Sequence, residues 1–182
     1  KAVIASGRDV LDCDTASTPT VGVAIVENNA AGGIQISASH NPAQYNGLKL
    51  FSSEGRVLPA VAGEAVRLRF EALRRTPPKI QTESAHGSVR AIESTLPHLR
   101  KVLQIVDVES IRKVKPKVWI DCCHGAGSRL ARPLLEALGC EVTVVGEPPD
   151  GQFEHEPEPT AENLIDWLPQ IPAAGADIGF FQ

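Results

Sequence analysis

Residues 32–51 read GGIQISASHNPAQYNGLKLF. A β-branched run over Gly33 to Ser37 gives way to a loop of small residues, Ser37-Ala38-Ser39-His40-Asn41-Pro42, and a second run follows over Leu48 to Ser52. Asn41-Pro42 and Asn46-Gly47 are turn signals, since Asn tolerates the left-handed backbone region and can bond its own backbone. The stretch therefore predicts a buried strand, a loop of defined shape, and a returning strand. A serine hydroxyl, Ser39, sits at the tip, with the His40 imidazole beside it and the Lys49 ammonium ten residues on.

Outward from this loop, short β-branched runs alternate with amphipathic stretches, which predicts an α/β protein. Further strands are expected over Arg8–Cys13, Val118–Cys122, Glu141–Val145 and Asp177–Phe181. Helices are expected over Thr18–Asn28, Pro59–Arg74, Ser88–Gln104 with an interruption near Pro97, Asp107–Lys113, Arg129–Leu138 and Ala161–Leu168. Val61, Ala65, Leu68, Ala72 and Leu73 recur at the three-to-four spacing of one helical face. Gly146 to Pro159 is proline-rich and reads as an irregular loop. Thr76-Pro77-Pro78 and the polar run to Ser88 make the best linker. The expected organisation is two successive α/β units, residues 1–82 and 83–182, each a mixed sheet flanked by helices.

The 182 residues are 42% hydrophobic and 22% charged, enough apolar mass for a core. A net charge of −4 leaves no basic excess for a nucleic-acid footprint, and no apolar run reaches membrane-span length, so neither partner is expected. Cys13, Cys122, Cys123 and Cys140 lie in or beside apolar runs, which reads as reduced buried thiols in a cytoplasmic protein. The chain has no methionine, opens on Lys1 in a helix-like pattern and closes on Phe180-Phe181-Gln182 in a strand-like one, so a piece of a longer protein is expected.

Three chemistries compete for the serine loop. As a plain loop between strands it needs no function. As a hydrolase it is poor, because the GxSxG elbow is missing and adjacent Ser and His rarely aim at each other. As a phosphoryl carrier it has what a phosphoserine of charge about −1.5 to −2 requires, cationic and donor neighbours in His40, Lys49 and the loop N–H groups. Elsewhere, His124-Gly125-Ala126-Gly127-Ser128 lacks the Walker lysine and the GxGxxG spacing, and reads as a structural turn. Cys122-Cys123-His124 has no paired CxxC for zinc, and Glu154-His155-Glu156 with Glu158 reads as a solvated loop.

Ser-Ala-Ser-His-Asn-Pro followed by Tyr45-Asn46-Gly47-Leu48-Lys49 closely resembles the active-site serine loop of the α-D-phosphohexomutases, the phosphoglucomutase/phosphomannomutase family. Thr18-Pro19-Thr20, Val118 to Gly127, Asp150-Gly151-Gln152-Phe153 with Pro157-Glu158-Pro159-Thr160, and Ala176 to Phe180 are similar to further family segments along the whole chain. The resemblance implies two successive mixed-sheet α/β domains of the phosphohexomutase type, truncated at both ends. It implies a mutase that moves a phosphoryl group between the 6- and 1-positions of a hexose phosphate. Ser39 would be the phosphorylated serine, one oxygen of its phosphate a ligand of Mg²⁺; Lys49 would act in proton transfer, and His40 would bind phosphate or assist. Asn41 and Asn46 would shape the loop and meet substrate. A glucose 1,6-bisphosphate-type activator is implied as well. Ser37 replaces the commoner threonine, and Tyr45 leans towards the glucose/mannose phosphate members. The family's metal-binding aspartates, sugar-recognition loop and terminal phosphate-binding domain would lie beyond Gln182, so the chain alone is expected to be inactive. The competing expectation is a non-catalytic sugar-phosphate or partner-binding module that keeps the mutase fold.

Overall fold

The computed structural model describes residues 1–41, 44–76 and 87–182. Most of the expected linker, and Pro42 of the first turn signal, lie outside these residues. The chain opens with helix α1 (Ala2–Ala5), strand β1 (Val10–Asp12) and helix α2 (Thr18–Glu27). Helix α2 starts where extended Ser17 meets Pro19 in the first turn, a position whose N–H has no helical partner to lose. Strands β2 (Gly33–Ile36) and β3 (Leu48–Phe51) follow as an antiparallel pair, with Gly33 opposite Phe51, Gln35 opposite Lys49 and Ile36 opposite Leu48.

The facing of this hairpin differs from expectation. Period-2 patterning over Gly33–Ile36 should turn the isoleucines inward, yet Ile34 and Ile36 are exposed, Ile36 at 71%. The inward face carries Gly33, Gln35, Lys49 and Phe51, and Phe51 is buried. Gly33 sits directly beneath the Ile25 side chain of α2, so the close approach of helix to strand is made at the residue without a Cβ. The strand is thus half-buried rather than buried, and its inner face is partly polar.

Helix α3 (Ala60–Arg75) forms as the spacing predicts, but none of its residues is buried; Val61, Leu68 and Phe70 are exposed. Strand β4 (Val89–Ala91) replaces the start of the helix expected from Ser88, and pairs in parallel with β1. The Asp9 carboxylate accepts from both the N–H and the hydroxyl of Ser88 at 2.8 and 2.7 Å, which fixes the chain as it enters this strand. Helix α4 (Thr95–Ile105) begins only after Glu93, whose carboxylate accepts from the Thr95 and Leu96 N–H groups at 2.9 Å. Pro97 then falls in the first turn, and the expected interruption does not occur.

Helix α5 (Val108–Val114), capped by the Asp107 carboxylate, leads to a βαβ crossover: β5 (Lys117–Asp121), α6 (Ser128–Ala137) and β6 (Glu141–Val145). Two short helices, α7 (Ala161–Leu164) and the unanticipated α8 (Gln170–Ala173), precede β7 (Ile178–Phe181). The three strands pair in parallel in the order β6-β5-β7, so the expected mixed sheet is not seen here. The β1–β4 (parallel) and β2–β3 (antiparallel) pairs are separate two-stranded sheets, and β1–β4 joins residues on either side of the expected boundary at 82/83. Successive residues of β5 face opposite layers. Ile120 and Cys122 pack with Ala131 and Leu135 of α6, while Trp119 lies 5.2 Å from Phe181 across the other face. Besides the β1–β4 pair, the units meet through helices: α4 packs on both α2 and α6, Lys101 reaches Glu27 at 2.9 Å, and Arg129 reaches Asp14 at 3.2 Å.

Gly22 of α2 lies against the backbone of Gly55, where each would-be Cβ meets the other's carbonyl oxygen. A mid-helix Gly→Ala change usually stabilises by about 0.5–1 kcal/mol. Here the obstacle is backbone that cannot swing away, so Gly22→Ala is expected to destabilise by about 1–3 kcal/mol instead. Urea unfolding of the variant reads the sign directly.

Candidate active site

The serine loop is built from its own short bonds. Ser37 N–H donates to the Gly47 carbonyl at 3.0 Å and closes the neck between β2 and β3. Ser39 N–H donates to the Ser37 hydroxyl at 3.0 Å, and Asn41 donates twice to the Ala38 carbonyl, from its backbone at 3.1 Å and its carboxamide at 2.8 Å. These bonds hold Ser39 at φ +57°, left-handed for a residue with a Cβ, at a cost of roughly 1–2 kcal/mol. Ser39 and His40 both emerge exposed. The Asn46 carboxamide oxygen accepts from Gly47 N–H at 2.9 Å, so Asn41 and Asn46 both shape the loop from within.

Lys49 is half-buried on the inward face of the hairpin. Its Nζ donates to Thr18 Oγ1 at 3.1 Å; Thr18 donates onward to Gln35 Oε1 at 2.9 Å, and Gln35 Nε2 donates to the Ala16 carbonyl at 2.9 Å. His40 Nε2 stands 3.9 Å from Glu158 Oε1, an acidic side chain of the long loop after β6. Among the described residues, no hydrogen bond or ion pair joins Ser39, His40 and Lys49 to one another. Thr18, Gln35 and Glu158 escaped sequence reading as site residues. The signal for Thr18 was available in Thr18-Pro19 at a helix start, whereas nothing local marks Gln35.

A second polar cluster lies at the carboxyl end of the parallel sheet, where open α/β sheets carry their ligands. The Asp121 carboxylate accepts from Cys123 N–H and from His155 Nε2, both at 2.7 Å, while His155 Nδ1 faces the Glu156 carbonyl at 2.8 Å. The His155 side chain is 8% exposed and its ring lies 4.8 Å from Trp167. This corrects the expectation of a solvated loop over residues 154–158: the glutamates are exposed, but His155 turns in, because a buried carboxylate at the carboxyl end of the central strand needs a partner. Burial alone would lower the His155 imidazolium, but the Glu156 carbonyl and the Asp121 carboxylate outweigh it and raise His155 above its ordinary value of 6.5.

The four cysteines are free, Cys122 and Cys123 buried, Cys13 and Cys140 partly exposed. Burial, then the neighbouring Asp121 charge, pushes the Cys122 thiol up to about 12 and Cys123 to about 11, so both stay protonated near neutral pH. Among the described residues no group of three or more His, Cys, Asp or Glu side chains gathers as for a metal ion. No helix among them is long and apolar enough to cross a membrane.

Residues 1–76 match the family model described as phosphoglucomutase/phosphomannomutase, alpha/beta/alpha domain I, and residues 96–182 match that of domain II. The chain belongs to this family. A phosphoglucomutase/phosphomannomutase of Thermococcus kodakarensis is 37% identical over 99% of the chain, and a probable phosphoglucosamine mutase of Methanobrevibacter smithii is 34% identical over 97%. The chain spans 39% of the length of each of these relatives. A crystal structure of a putative phosphomannomutase from Thermus thermophilus shares the fold, with a TM-score of 0.72 and 23% identity over 95% of this chain and 38% of its own. A phosphoglucomutase/phosphomannomutase family protein of Burkholderia thailandensis superposes with a TM-score of 0.69 at 25% identity, over 97% of this chain and 38% of its own.

Removing one member of a buried ion pair strands the other, so His155→Gln is expected to cost about 3–5 kcal/mol at pH 6. Because the folded pKa lies above the unfolded one, this contribution is complete below about pH 6.5 and fades as pH rises through the folded value. The gap between wild type and His155→Gln in urea unfolding should therefore narrow from pH 6 to pH 9.

Proposed function

We propose that the protein containing this chain is a phosphosugar mutase, interconverting a hexose 6-phosphate and a hexose 1-phosphate through a phosphoserine at Ser39 and a bisphosphate intermediate. The observation that carries this reading is the presentation of Ser39. Within a domain of the mutase family, loop bonds hold it exposed and left-handed at a strand tip. Strained backbone of this kind persists where the surroundings over-determine it, and it clusters at reactive positions.

In the first half-reaction the sugar hydroxyl oxygen bonds to the phosphorus of phospho-Ser39 as the P–Oγ bond breaks, giving a bisphosphate and a free serine. In the second, the phosphoryl group at the other end of the sugar returns to Ser39 Oγ. In each half-reaction the attacking hydroxyl loses a proton and the leaving oxygen gains one, Ser39 Oγ in the first and the sugar oxygen in the second. The Lys49 ammonium delivers the proton to the leaving oxygen and is recharged by the one from the attacking hydroxyl, with His40 on the phosphate. Positioning and charge neutralisation do most of the work in such a transfer. Asn41 and Asn46 keep the loop in shape and border the sugar. A bound Mg²⁺ would supply charge neutralisation at the transferring phosphate; the described residues gather no group of three or more His, Cys, Asp or Glu side chains to hold it. Within this chain the residue that would hold such an ion is Ser39, through its phosphate. The names of the relatives divide between glucose/mannose and glucosamine phosphates, and a glucose 1,6-bisphosphate-type activator would keep Ser39 charged.

In the whole protein, Ser39→Ala is expected to lower turnover of glucose 1-phosphate by at least about a hundredfold. Lys49→Ala should cost about 10²–10⁴-fold without unfolding the protein. Steady-state kinetics with glucose 1,6-bisphosphate present checks both; wild-type rates in Ser39→Ala would end the reading. The 182-residue chain alone, spanning 39% of its relatives, is expected to show no turnover in the same assay.

A further inference from the structure

We propose that Thr18 is a positioning residue for Lys49, and that Gln35 is the neutral anchor that gives Thr18 its direction. The inference rests on the role proposed above for Lys49 and adds to it the device that holds the ammonium in place.

The hydrogen bonds leave one consistent assignment of donors. An ammonium only donates, so Thr18 Oγ1 accepts from Lys49 Nζ at 3.1 Å and its own proton must go elsewhere. It goes to Gln35 Oε1 at 2.9 Å. The amide nitrogen of Gln35 then points to the Ala16 carbonyl at 2.9 Å, which can only accept. The series Lys49→Thr18→Gln35→Ala16 runs one way and ends on backbone. Its members come from β3, the first turn of α2, β2 and the residue run entering α2, so it ties the lysine tip to the start of the helix.

Thr18 is itself held. Its neighbours Ser17 and Thr20 share a hydrogen bond at 2.8 Å, and Thr20 Oγ1 lies 2.9 Å from His98 Nδ1 of α4. Every group in the series is uncharged except Lys49, and among the described residues no carboxylate lies within ion-pair distance of its Nζ. A glutamate at position 35 could receive the same Thr18 proton but would cancel the ammonium charge. The glutamine fixes the lysine while leaving that charge for a phosphoryl group, which brings about −1.5 to −2. This also explains why a polar residue takes the inward face of β2 while two isoleucines face out.

The test uses Thr18→Val, which keeps the shape and removes the hydroxyl, and Thr18→Ser, which restores it, both in the whole protein. The first readout needs no turnover: the rate at which acetic anhydride acylates Lys49 Nζ, followed by peptide mass spectrometry. Loss of one net hydrogen bond should raise that rate about two- to tenfold in Thr18→Val and leave it near wild type in Thr18→Ser. The second readout is kinetics on glucose 1-phosphate, where Thr18→Val should lower kcat about ten- to a hundredfold with KM changed far less, and Thr18→Ser should recover most of the loss. Unchanged acylation in Thr18→Val overturns the hydrogen-bond series. Raised acylation with unchanged kcat overturns the positioning role. Full activity in Lys49→Ala instead removes the catalytic role of the lysine itself, a failure of the underlying reading that acylation of Thr18→Val cannot mimic.

Discussion

The antiparallel register that sets Gln35 opposite Lys49 is the constraint on which the site depends. Strand side chains alternate faces, so a slip of one residue would send Lys49 to the outer face with Ile34 and Ile36. The register is held at both ends. At one, Ser37 N–H bonds the Gly47 carbonyl beneath the serine loop; at the other, Gly33, paired with buried Phe51, meets Ile25 of α2. With those ends fixed, the serine loop emerges at the strand tip and the lysine is delivered to the start of α2.

The second unit reaches the same loop from outside. Its contribution is Glu158, 3.9 Å from His40, and Glu158 belongs to a long segment with little regular structure. That segment is anchored three residues earlier, where His155 inserts between Asp121 and Trp167 at the carboxyl end of the parallel sheet. The ion pair therefore couples the sheet of one unit to the loop of the other through a short stretch of chain. The packing of α4 against both α2 and α6 supplies the rigid part of the same connection.

Much of the fold was legible because strong local signals agreed with tertiary demand. Pro19 in a first turn, the β-branched run at 117–121 and the apolar run at 141–145 each mark an element that the structure contains. The serine loop was legible as a motif, and its turn chemistry named the residues that shape it. The inward face of β2 was not legible. Period-2 patterning assumes an apolar interior, and here the interior face serves Lys49, so Gln35 took the place an isoleucine should have had. Strand β4 was missed because Val89–Ala91 is too short to show a period and exists through its pairing with β1 and the Asp9–Ser88 bonds. His155 was missed for a similar reason: its partner Asp121 is 34 residues away, and nothing in a proline-rich loop announces an inward turn.

The central claim is that one loop serine carries the phosphoryl group. Phosphopeptide mapping of the whole protein after incubation with glucose 1,6-bisphosphate addresses it without requiring turnover. The account predicts a single modified residue, Ser39, and an unmodified peptide in Ser39→Ala. Phosphate found on Ser37 or His40 with Ser39 bare, or phosphate that persists in Ser39→Ala, would contradict it.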